Sequence, residues 1–218
     1  MIKEINNVYI DPNNNEYSIY MNNIIGADEV GYGCLAGPLV VCGVKAPEDW
    51  NLEGLNDSKK LSEKKRLIMG GKLSDLVESN EISFHISEKS NVLIDQIGVA
   101  SALRDAYIEV FHALGEHNPI LIIVDGNLKF DCPSLRAYTI KTEVKADTKF
   151  PTVMAASIIA KNYRDGLMHF LDKLHPEYGW IKNVGYGSPS HISAISKYGL
   201  SPLHRRSYKV KSLIHLYE

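Results

Sequence analysis

Two acidic residues stand side by side within an apolar segment near the start of the chain. Asp28 and Glu29 follow two isoleucines and precede a glycine-dense turn, after which a second apolar run begins at Leu39. Two carboxylates ~4 Å apart repel each other by ~4 kcal/mol at an effective dielectric constant of about 20. A folded chain therefore keeps such a pair when the acids are solvated, protonated or bound to a cation. This stretch alone leaves both a solvated turn and a metal site open.

The glycine turn after these acids does not fit a dinucleotide-binding loop, although Gly31-Tyr32-Gly33 begins like the G-x-G-x-x-G pattern. The third glycine, Gly37, comes one residue late, and the segment that follows is β-like rather than an amphipathic helix. The acids Asp28 and Glu29 would also lie close to the pyrophosphate that such a loop binds.

A third acid follows a second apolar segment. Residues 120–124 are continuously apolar, as expected of a strand buried on both faces, and Asp125-Gly126 comes directly after them. In open α/β sheets, ligands gather at the carboxyl ends of parallel strands. Asp125 is therefore a candidate functional residue, with an ordinary Asp-Gly turn as the alternative.

The composition fits one sizeable α/β domain. The chain has 218 residues, of which 44% are hydrophobic and 23% charged, and this length leaves room for a small appendage. The longest clean apolar run is far too short to cross a bilayer, and no apolar signal-peptide core follows Met1. The three cysteines lack C-x-x-C spacing, which favours a reducing cytosol over disulfides or a zinc site. We therefore expect a cytoplasmic protein without a membrane partner.

The charge of the chain is unevenly distributed. The formal net charge is −2, so binding to nucleic acid would depend on a local basic patch. Residues 197–217 contain no acid and hold five basic residues: Lys197, Arg205, Arg206, Lys209 and Lys211. This asymmetry indicates a polyanionic partner, and a solvated basic tail remains the alternative.

The order of apolar patterns predicts the elements of the domain. For residues 1–23 we predict a short hairpin or a leader, because two apolar stretches flank a turn cluster at 11–15. Residues 24–218 are predicted to form the main domain. The predicted strands cover 24–30, 38–44, 81–87, 120–124 and 137–144. The first predicted helix follows residues 57–62, and Gly70-Gly71 should weaken or break it. Further helices are predicted at 92–114, 151–174 and 189–198. A glycine loop at 179–188 contains Tyr186.

Several segments, taken together and in order, resemble the type 2 ribonuclease H family (ribonuclease HII). They are GADEVGYG and LAGP at 26–38, DSKKLS at 57–62, VDG at 124–126, KAD at 145–147, AASIIAK and RD at 155–165, GYG at 185–187 and SPLHRRS at 201–207. Each segment is unspecific alone, whereas their common order is specific.

The resemblance implies a fold and an activity. The implied fold is the α/β ribonuclease H-like fold, a five-stranded mixed sheet flanked by helices with a C-terminal helical extension. The implied activity is that of a metal-dependent endonuclease that cuts the RNA strand of RNA–DNA hybrids. Such enzymes also cut on the 5′ side of a ribonucleotide embedded in duplex DNA, and leave a 5′ phosphate and a 3′ hydroxyl. The implied partner is nucleic acid, and we expect the chain to act as a monomer.

By motif position, the resemblance also implies the site residues. Four acids would be the catalytic, metal-binding residues: Asp28, Glu29, Asp125 and Asp147. Two Mg²⁺ or Mn²⁺ ions suit this set, because hard divalent ions prefer oxygen ligands, and none of the eight histidines lies within the acid motifs. The residues implied to bind the substrate are Gly31, Tyr32, Gly33, Lys59, Lys60, Ser157, Lys161 and Tyr186. Asp165 is interpreted as a helix-face partner of a neighbouring base.

Two positions depart from the family pattern. In the family, the backbone of a glycine–basic–glycine turn and a tyrosine from the later glycine loop sense the 2′-hydroxyl; here Tyr32 replaces the basic residue and Cys34 replaces the proline. The alternative is therefore a metal-dependent nuclease of the same fold with an altered preference for ribonucleotide junctions.

Two further classes are weighed against this one. A resolvase or integrase-like enzyme does not explain the Tyr186 loop and the basic C-terminal extension. A non-catalytic nucleic-acid binding protein does not explain why all four acids are present. The related ribonuclease HIII branch carries a large N-terminal domain, for which residues 1–23 are too short.

Overall fold

The computed structural model describes residues 3–5, 8–10, 17–18, 23–115 and 120–216. Near the N-terminus, β1 (Lys3–Ile5), β2 (Val8–Ile10) and β3 (Tyr17–Ser18) form a small antiparallel sheet. β2 and β3 pair as a hairpin would, with Ile10 opposite Tyr17. The division between residues 1–23 and the main domain stays a prediction, because much of this segment lies outside the described residues.

The main sheet has five strands and carries the acids. The strands are β4 (Asn23–Val30), β5 (Leu39–Pro47), β6 (Ser83–Lys89), β7 (Leu121–Asp125) and β8 (Thr139–Glu143). Their order across the sheet is β6-β5-β4-β7-β8. β4, β5 and β6 are joined antiparallel, whereas β4, β7 and β8 run parallel. The predicted five-stranded mixed sheet is thereby confirmed.

Six α-helices in the described residues cover this sheet and extend beyond it. They are α1 (Glu63–Glu78), α2 (Asn91–Ile97), α3 (Val99–Gly115), α4 (Pro151–Asp172), α5 (Trp180–Asn183) and α6 (Pro189–Tyr198). α3 packs on β5 and β6, whereas α4 packs on β4 and β5. In the described residues, no helix is both long and apolar enough to span a membrane.

The two faces of β4 are buried against different helices. Ile25 and Ala27 belong to the core cluster that contains Tyr107 and the other apolar residues of α3. Ile24 packs instead with Val153 of α4. Because side chains alternate along a strand, Asp28 should continue the α4 face, and Glu29 the α3 face.

The structure corrects two helix predictions. α1 passes through Gly70-Gly71 without a break. A Cβ on Gly70 would lie 2.5 Å from Asn162 Nδ2, so this glycine lets α1 approach α4 closely. The predicted helix 92–114 is two helices, because Gly98 ends α2 with a φ of 81° and α3 begins at the next residue. In the first case packing between helices outweighs the low helix propensity of glycine.

The C-terminal helices form an extension with its own small core. Trp180 of α5, Ile195 of α6 and Met168 of α4 are fully buried in one cluster. α6 has the predicted boundaries, with Ser188 as its N-cap and Gly199 after its last residue. Within the predicted glycine loop 179–188, residues Trp180–Asn183 form the short helix α5.

Candidate active site

The ends of two neighbouring parallel strands bring the first two acids together. β4 and β7 pair in parallel from Ile24 opposite Leu121 to Ala27 opposite Val124. Asp28 and Asp125 are the next residue of each strand, so both carboxylates lie where the paired region ends. Asp28 is buried and Asp125 is partly buried.

The third acid is positioned by a tight turn after β8. Lys145 adopts a left-handed conformation with a φ of 62°, and a 3₁₀ turn, Ala146–Thr148, follows it. The backbone N–H of Ala146 donates to Asp125 Oδ1 at 2.7 Å, which ties the turn to the end of β7. As a result, Asp28, Asp125 and Asp147 each offer an oxygen within 4.8 Å of the others.

The charges in this cluster are incompletely balanced by the protein. Burial raises the pKa of Asp28 to about 7, with further contributions from the charges of Glu29 and Asp125 and an opposing hydrogen bond from Ser157. Lys59 Nζ donates to Asp147 Oδ2 at 2.9 Å. One ammonium beside three carboxylates leaves an excess of negative charge, and all the donor atoms are oxygens. Such a set fits a hard divalent cation.

Glu29 lies next to the cluster but is not one of its three members. Its carboxylate accepts a hydrogen bond from the Tyr107 hydroxyl at 2.6 Å. Burial raises the pKa of Glu29; the bond from Tyr107 opposes this shift and the charge of Asp125 adds to it. Glu29 is therefore close enough to Asp125 for their charges to interact, while a residue of α3 holds its carboxylate.

The glycine turn after β4 presents its backbone beside the acids. Gly31 has a φ of 90°, and a Cβ there would lie 2.3 Å from Arg164 Nε. A Cβ on Gly33 would meet nothing within 4 Å, so this part of the turn faces open space. The side chain of Tyr32 is exposed. Its carbonyl oxygen accepts hydrogen bonds from Arg205 Nη1 and from the Tyr208 hydroxyl.

A fully buried arginine joins the glycine turn to the loop that carries Tyr186. Arg164 Nε donates to the Pro38 carbonyl at 2.9 Å, and Nη2 donates to the Ala36 carbonyl at 3.1 Å. Its Nη1 donates to the Val184 carbonyl, two residues before Tyr186, at 2.8 Å. The same two segments are joined by Leu35 N–H, which donates to the Gly185 carbonyl at 2.7 Å. Arg164 thus couples two predicted substrate-binding segments.

Two buried histidines, His191 and His204, form a hydrogen-bonded pair that supports the Tyr186 loop. His191 Nδ1 donates to the Tyr186 carbonyl at 2.8 Å, so Nε2 of the same ring is an acceptor. It accepts from Trp180 Nε1 at 3.0 Å and from His204 Nε2 at 3.1 Å. His204 Nδ1 in turn accepts from the backbone N–H of Ser201. Both rings are therefore neutral, because a second proton on either would face another donor.

This arrangement predicts a loss of stability in mild acid. Burial, followed by the unfavourable interaction with His191 that a charged His204 would have, lowers the pKa of His204 to about 3. The unfolded chain, with a histidine pKa of about 6.5, binds the proton first, so stability falls as pH drops below that value. For His204 alone we expect a loss of about 2 kcal/mol at pH 5, measured by urea unfolding.

The control for this pH effect is His204→Gln, which cannot gain a charge. We expect this variant to be less stable than the natural chain at pH 7.5, and the difference to shrink by about 2 kcal/mol at pH 5. A difference that stays constant over this range would show that another group is responsible.

The residues predicted to hold phosphates differ in their surroundings. Lys59 and Lys60 are exposed, and Lys59 bonds to Asp147. Lys161 Nζ lies 2.7 Å from Asp165 Oδ1, and Arg66 also binds Asp165, so Asp165 pairs with basic groups as interpreted. Ser157 is buried and lies 2.8 Å from the Ser58 hydroxyl. Because Ser157 also hydrogen-bonds to Asp28, its surroundings indicate that it helps to hold the acids in place.

The structure changes the interpretation of the basic C-terminal segment. Arg205 is 1% exposed, and its guanidinium binds the carbonyls of Gly37 and Tyr32. Its charge therefore belongs to the glycine turn and not to a surface patch. Lys197, Arg206, Lys209 and Lys211 are exposed.

Three residues at this site carry roles that the sequence analysis did not assign: Tyr107, Arg164 and Arg205. Tyr107 occupies an apolar position of a helix, and its spacing alone indicates only the core. Arg164 lies within a predicted helix, and no local sequence pattern distinguishes a buried arginine there from an exposed one.

Comparison with known proteins identifies relatives over nearly the whole chain. The family model of ribonuclease HII matches residues 25–211. The chain is 42% identical over 193 residues to ribonuclease HII of Aliarcobacter butzleri (strain RM4018), covering 88% of this chain and 94% of the relative. It is 41% identical over 196 residues to ribonuclease HII of Helicobacter pylori (strain G27), covering 88% and 93%.

A solved structure agrees with this assignment. The ribonuclease HII chain in the PCNA:RNase HII complex from Archaeoglobus fulgidus superposes with a TM-score of 0.70 at 26% identity, covering 86% of this chain and 95% of that one. The residues matched by the family model include nearly all of the five-stranded sheet, the clustered acids and both glycine segments. On sequence and fold together, the chain belongs to the ribonuclease HII family.

Proposed function

We propose that the chain is an endoribonuclease that hydrolyses the RNA strand of RNA–DNA hybrids. It also cuts on the 5′ side of a ribonucleotide embedded in duplex DNA, and leaves a 5′ phosphate and a 3′ hydroxyl. The observation that supports this most is the convergence of Asp28, Asp125 and Asp147 at one edge of the sheet in a ribonuclease HII chain.

The acids are the proposed ligands of two divalent ions, Mg²⁺ or Mn²⁺. Asp28, Asp125 and Asp147 would form the centre of the site, and Glu29 would complete it. When bound, such ions supply positive charge that acidifies the attacking water and neutralises the departing 3′ oxygen. The excess negative charge of the clustered carboxylates supports this assignment, because their mutual repulsion is relieved once cations are present.

The chain's own groups would bind and orient the substrate. Lys59, Lys60 and Lys161 are proposed to hold backbone phosphates, which gives affinity and salt dependence without reading sequence. Ser157, also proposed for this role, shares a hydrogen bond with the Ser58 hydroxyl. A phosphate that approaches Lys59 would find its ammonium at the edge of the acid cluster, beside Asp147.

Recognition of the ribonucleotide is assigned to the glycine turn and to Tyr186. The backbone of Gly31, Tyr32 and Gly33 and the exposed Tyr186 ring would contact the sugar that carries the 2′-hydroxyl. Arg164 fixes the spacing between these segments through carbonyls on both. Such coupling supports recognition of one sugar by two separate parts of the chain.

The replacement of a basic residue by Tyr32 does not favour the alternative function. The carbonyl of Tyr32 is held by Arg205 and Tyr208, so the path of the turn does not depend on the side chain at this position. The backbone contacts proposed for the 2′-hydroxyl therefore remain available.

We also propose that the chain works as a cytoplasmic monomer, with residues 24–218 as the catalytic unit. The acids and both recognition segments come from one chain, and the three cysteines are free. The relative from Archaeoglobus fulgidus was solved in complex with PCNA, so a complex with a partner protein is the alternative to a monomer. Light scattering of the purified chain at micromolar concentration gives its mass directly.

The substrate assay tests the proposed function. We expect cutting of an RNA–DNA hybrid and of duplex DNA carrying one ribonucleotide, with Mg²⁺ or Mn²⁺ and not with a chelator. Plain duplex DNA should remain intact, because it lacks the 2′-hydroxyl that the turn would sense. Comparable cutting of plain DNA would overturn the proposal, and an absence of cutting on every substrate would indicate a binding protein.

A further inference from the structure

The Tyr107 hydroxyl is fully enclosed and bonds to one acid of the proposed site. Tyr107 is 1% exposed and lies in α3, where its ring contacts Phe111 and Phe130. Its hydroxyl donates to Glu29 Oε2 at 2.6 Å. Neighbouring rings keep this phenol from turning away, so the bond fixes one oxygen of Glu29.

The position of Glu29 makes this bond important. Glu29 follows Asp28 on β4, and adjacent residues of a strand face opposite ways. The ladder between β4 and β7 ends at Ala27 opposite Val124, so no β7 residue pairs with Glu29. At this position the carboxylate of Glu29 is near enough to Asp125 for their charges to interact.

We propose that Tyr107 is a positioning residue for metal binding, which acts by orienting Glu29. This inference rests on the proposed function, because it assumes that the acids bind divalent ions. The bond to Oε2 restricts rotation of the carboxylate, which also limits where Oε1 can lie. The Glu29 side chain is thereby held in one orientation on the face of β4 opposite Asp28, so that binding of an ion does not have to order it.

A tyrosine suits this position better than a base would. A neutral hydroxyl donates to a carboxylate without neutralising it, so Glu29 keeps its charge for a cation. A lysine or arginine would compete with the ion for the same oxygens. The surrounding core also favours a phenol, because the aromatic ring completes the apolar packing of α3.

The test compares two buried tyrosines from the same core cluster. Tyr107→Phe removes the hydroxyl that binds Glu29, whereas Tyr138→Phe removes a buried hydroxyl that has no hydrogen-bond partner among the described residues. The readout is the melting temperature of each protein at increasing MnCl₂, relative to its own value in chelator. We expect Tyr107→Phe to need about 10-fold more Mn²⁺ for the half-maximal shift. Tyr138→Phe should match the natural chain.

A double-mutant cycle separates positioning from general packing. In a Glu29→Gln background, Tyr107→Phe should cause no further change in the Mn²⁺ midpoint, because the group it orients is already altered. An equal midpoint in Tyr107→Phe and the natural chain overturns this inference alone, and so does an undiminished effect in the Glu29→Gln background. Absence of any Mn²⁺ response in the natural chain overturns the proposed metal site as well.

Discussion

Asp28→Asn should abolish cleavage while raising the stability of the metal-free protein. Asp28 is buried and shares one oxygen cluster with Asp125 and Asp147. An amide in its place removes a negative charge from the proposed metal site, and loss of metal-supplied stabilisation amounts to several kcal/mol in the transition state. We therefore expect turnover on an RNA–DNA hybrid to fall by about 10³-fold or more. Single-turnover kinetics at saturating enzyme provide the measurement.

The gain in stability follows from the same burial. Because burial raises the pKa of Asp28 from 3.8 to about 7, the folded state resists ionising this group. Stability that is present below pH 4 is therefore lost as pH rises through about 7. The shift corresponds to roughly 4 kcal/mol as an upper value, so Asp28→Asn should be more stable by about 2–4 kcal/mol at pH 8 without metal. The advantage should vanish below pH 4.

Asp105→Asn serves as the matched control, since Asp105 is exposed on α3 and distant in sequence from the acid segments. This variant should retain turnover and change stability by less than about 0.5 kcal/mol. If Asp28→Asn unfolds more easily than the natural chain in chelator, Asp28 is a structural residue and not a metal ligand whose burial lowers the stability of the metal-free protein.

The acids that end strands could be predicted from the sequence, because apolar runs identify the strands and the chain direction identifies their carboxyl ends. Asp125, the last residue of β7, follows this rule. Asp28 lies within β4 and was indicated by its place beside Glu29 in an apolar segment, and the pairing of β4 with β7 brings the two aspartates side by side. Asp147 does not follow the rule. Its position depends on the left-handed Lys145 and on the bond from Ala146 to Asp125, neither of which has a periodic signal. Only the family resemblance indicated it.

Long-range packing decided the features that the sequence did not predict. Asn162 of α4 occupies the space that a side chain at Gly70 would need, so the glycine allows close packing of α1 on α4, and this packing outweighs its low helix propensity. Glu29 is bound by Tyr107, which is separated from it by 78 positions. A helical pattern marks Tyr107 as apolar core and contains no information about its hydroxyl. Local rules thus predict which elements form, whereas contacts between elements decide how their polar groups pair.

Arg164 offers the second large effect, because its guanidinium is the main polar link between the two recognition segments. The side chain is fully buried and donates to the carbonyls of Pro38, Ala36 and Val184. Arg164→Met keeps a long apolar stem but leaves these three oxygens without their charged donor. Hydrogen bonds to charged groups contribute about 1.5–3 kcal/mol each. The total loss should be smaller than the sum of three such bonds, because the freed carbonyls can move and regain part of their hydrogen bonding. We expect unfolding to become easier by about 3–5 kcal/mol, equivalent to a melting temperature lower by roughly 10 °C.

Selectivity should change together with stability, which distinguishes Arg164 from an ordinary core residue. Once the turn and the Tyr186 loop move independently, the discrimination between hybrid and plain duplex DNA should fall, even at temperatures where the variant is folded. Arg164→Lys should not restore it, because a single ammonium cannot reach carbonyls on both segments in the planar geometry of a guanidinium. Arg206→Met, an exposed arginine of the same region, is the control and should change stability by less than about 0.5 kcal/mol. If Arg164→Met proves as stable and as selective as Arg206→Met, the coupling of the two segments must come from their backbone bonds alone, such as that from Leu35 to Gly185.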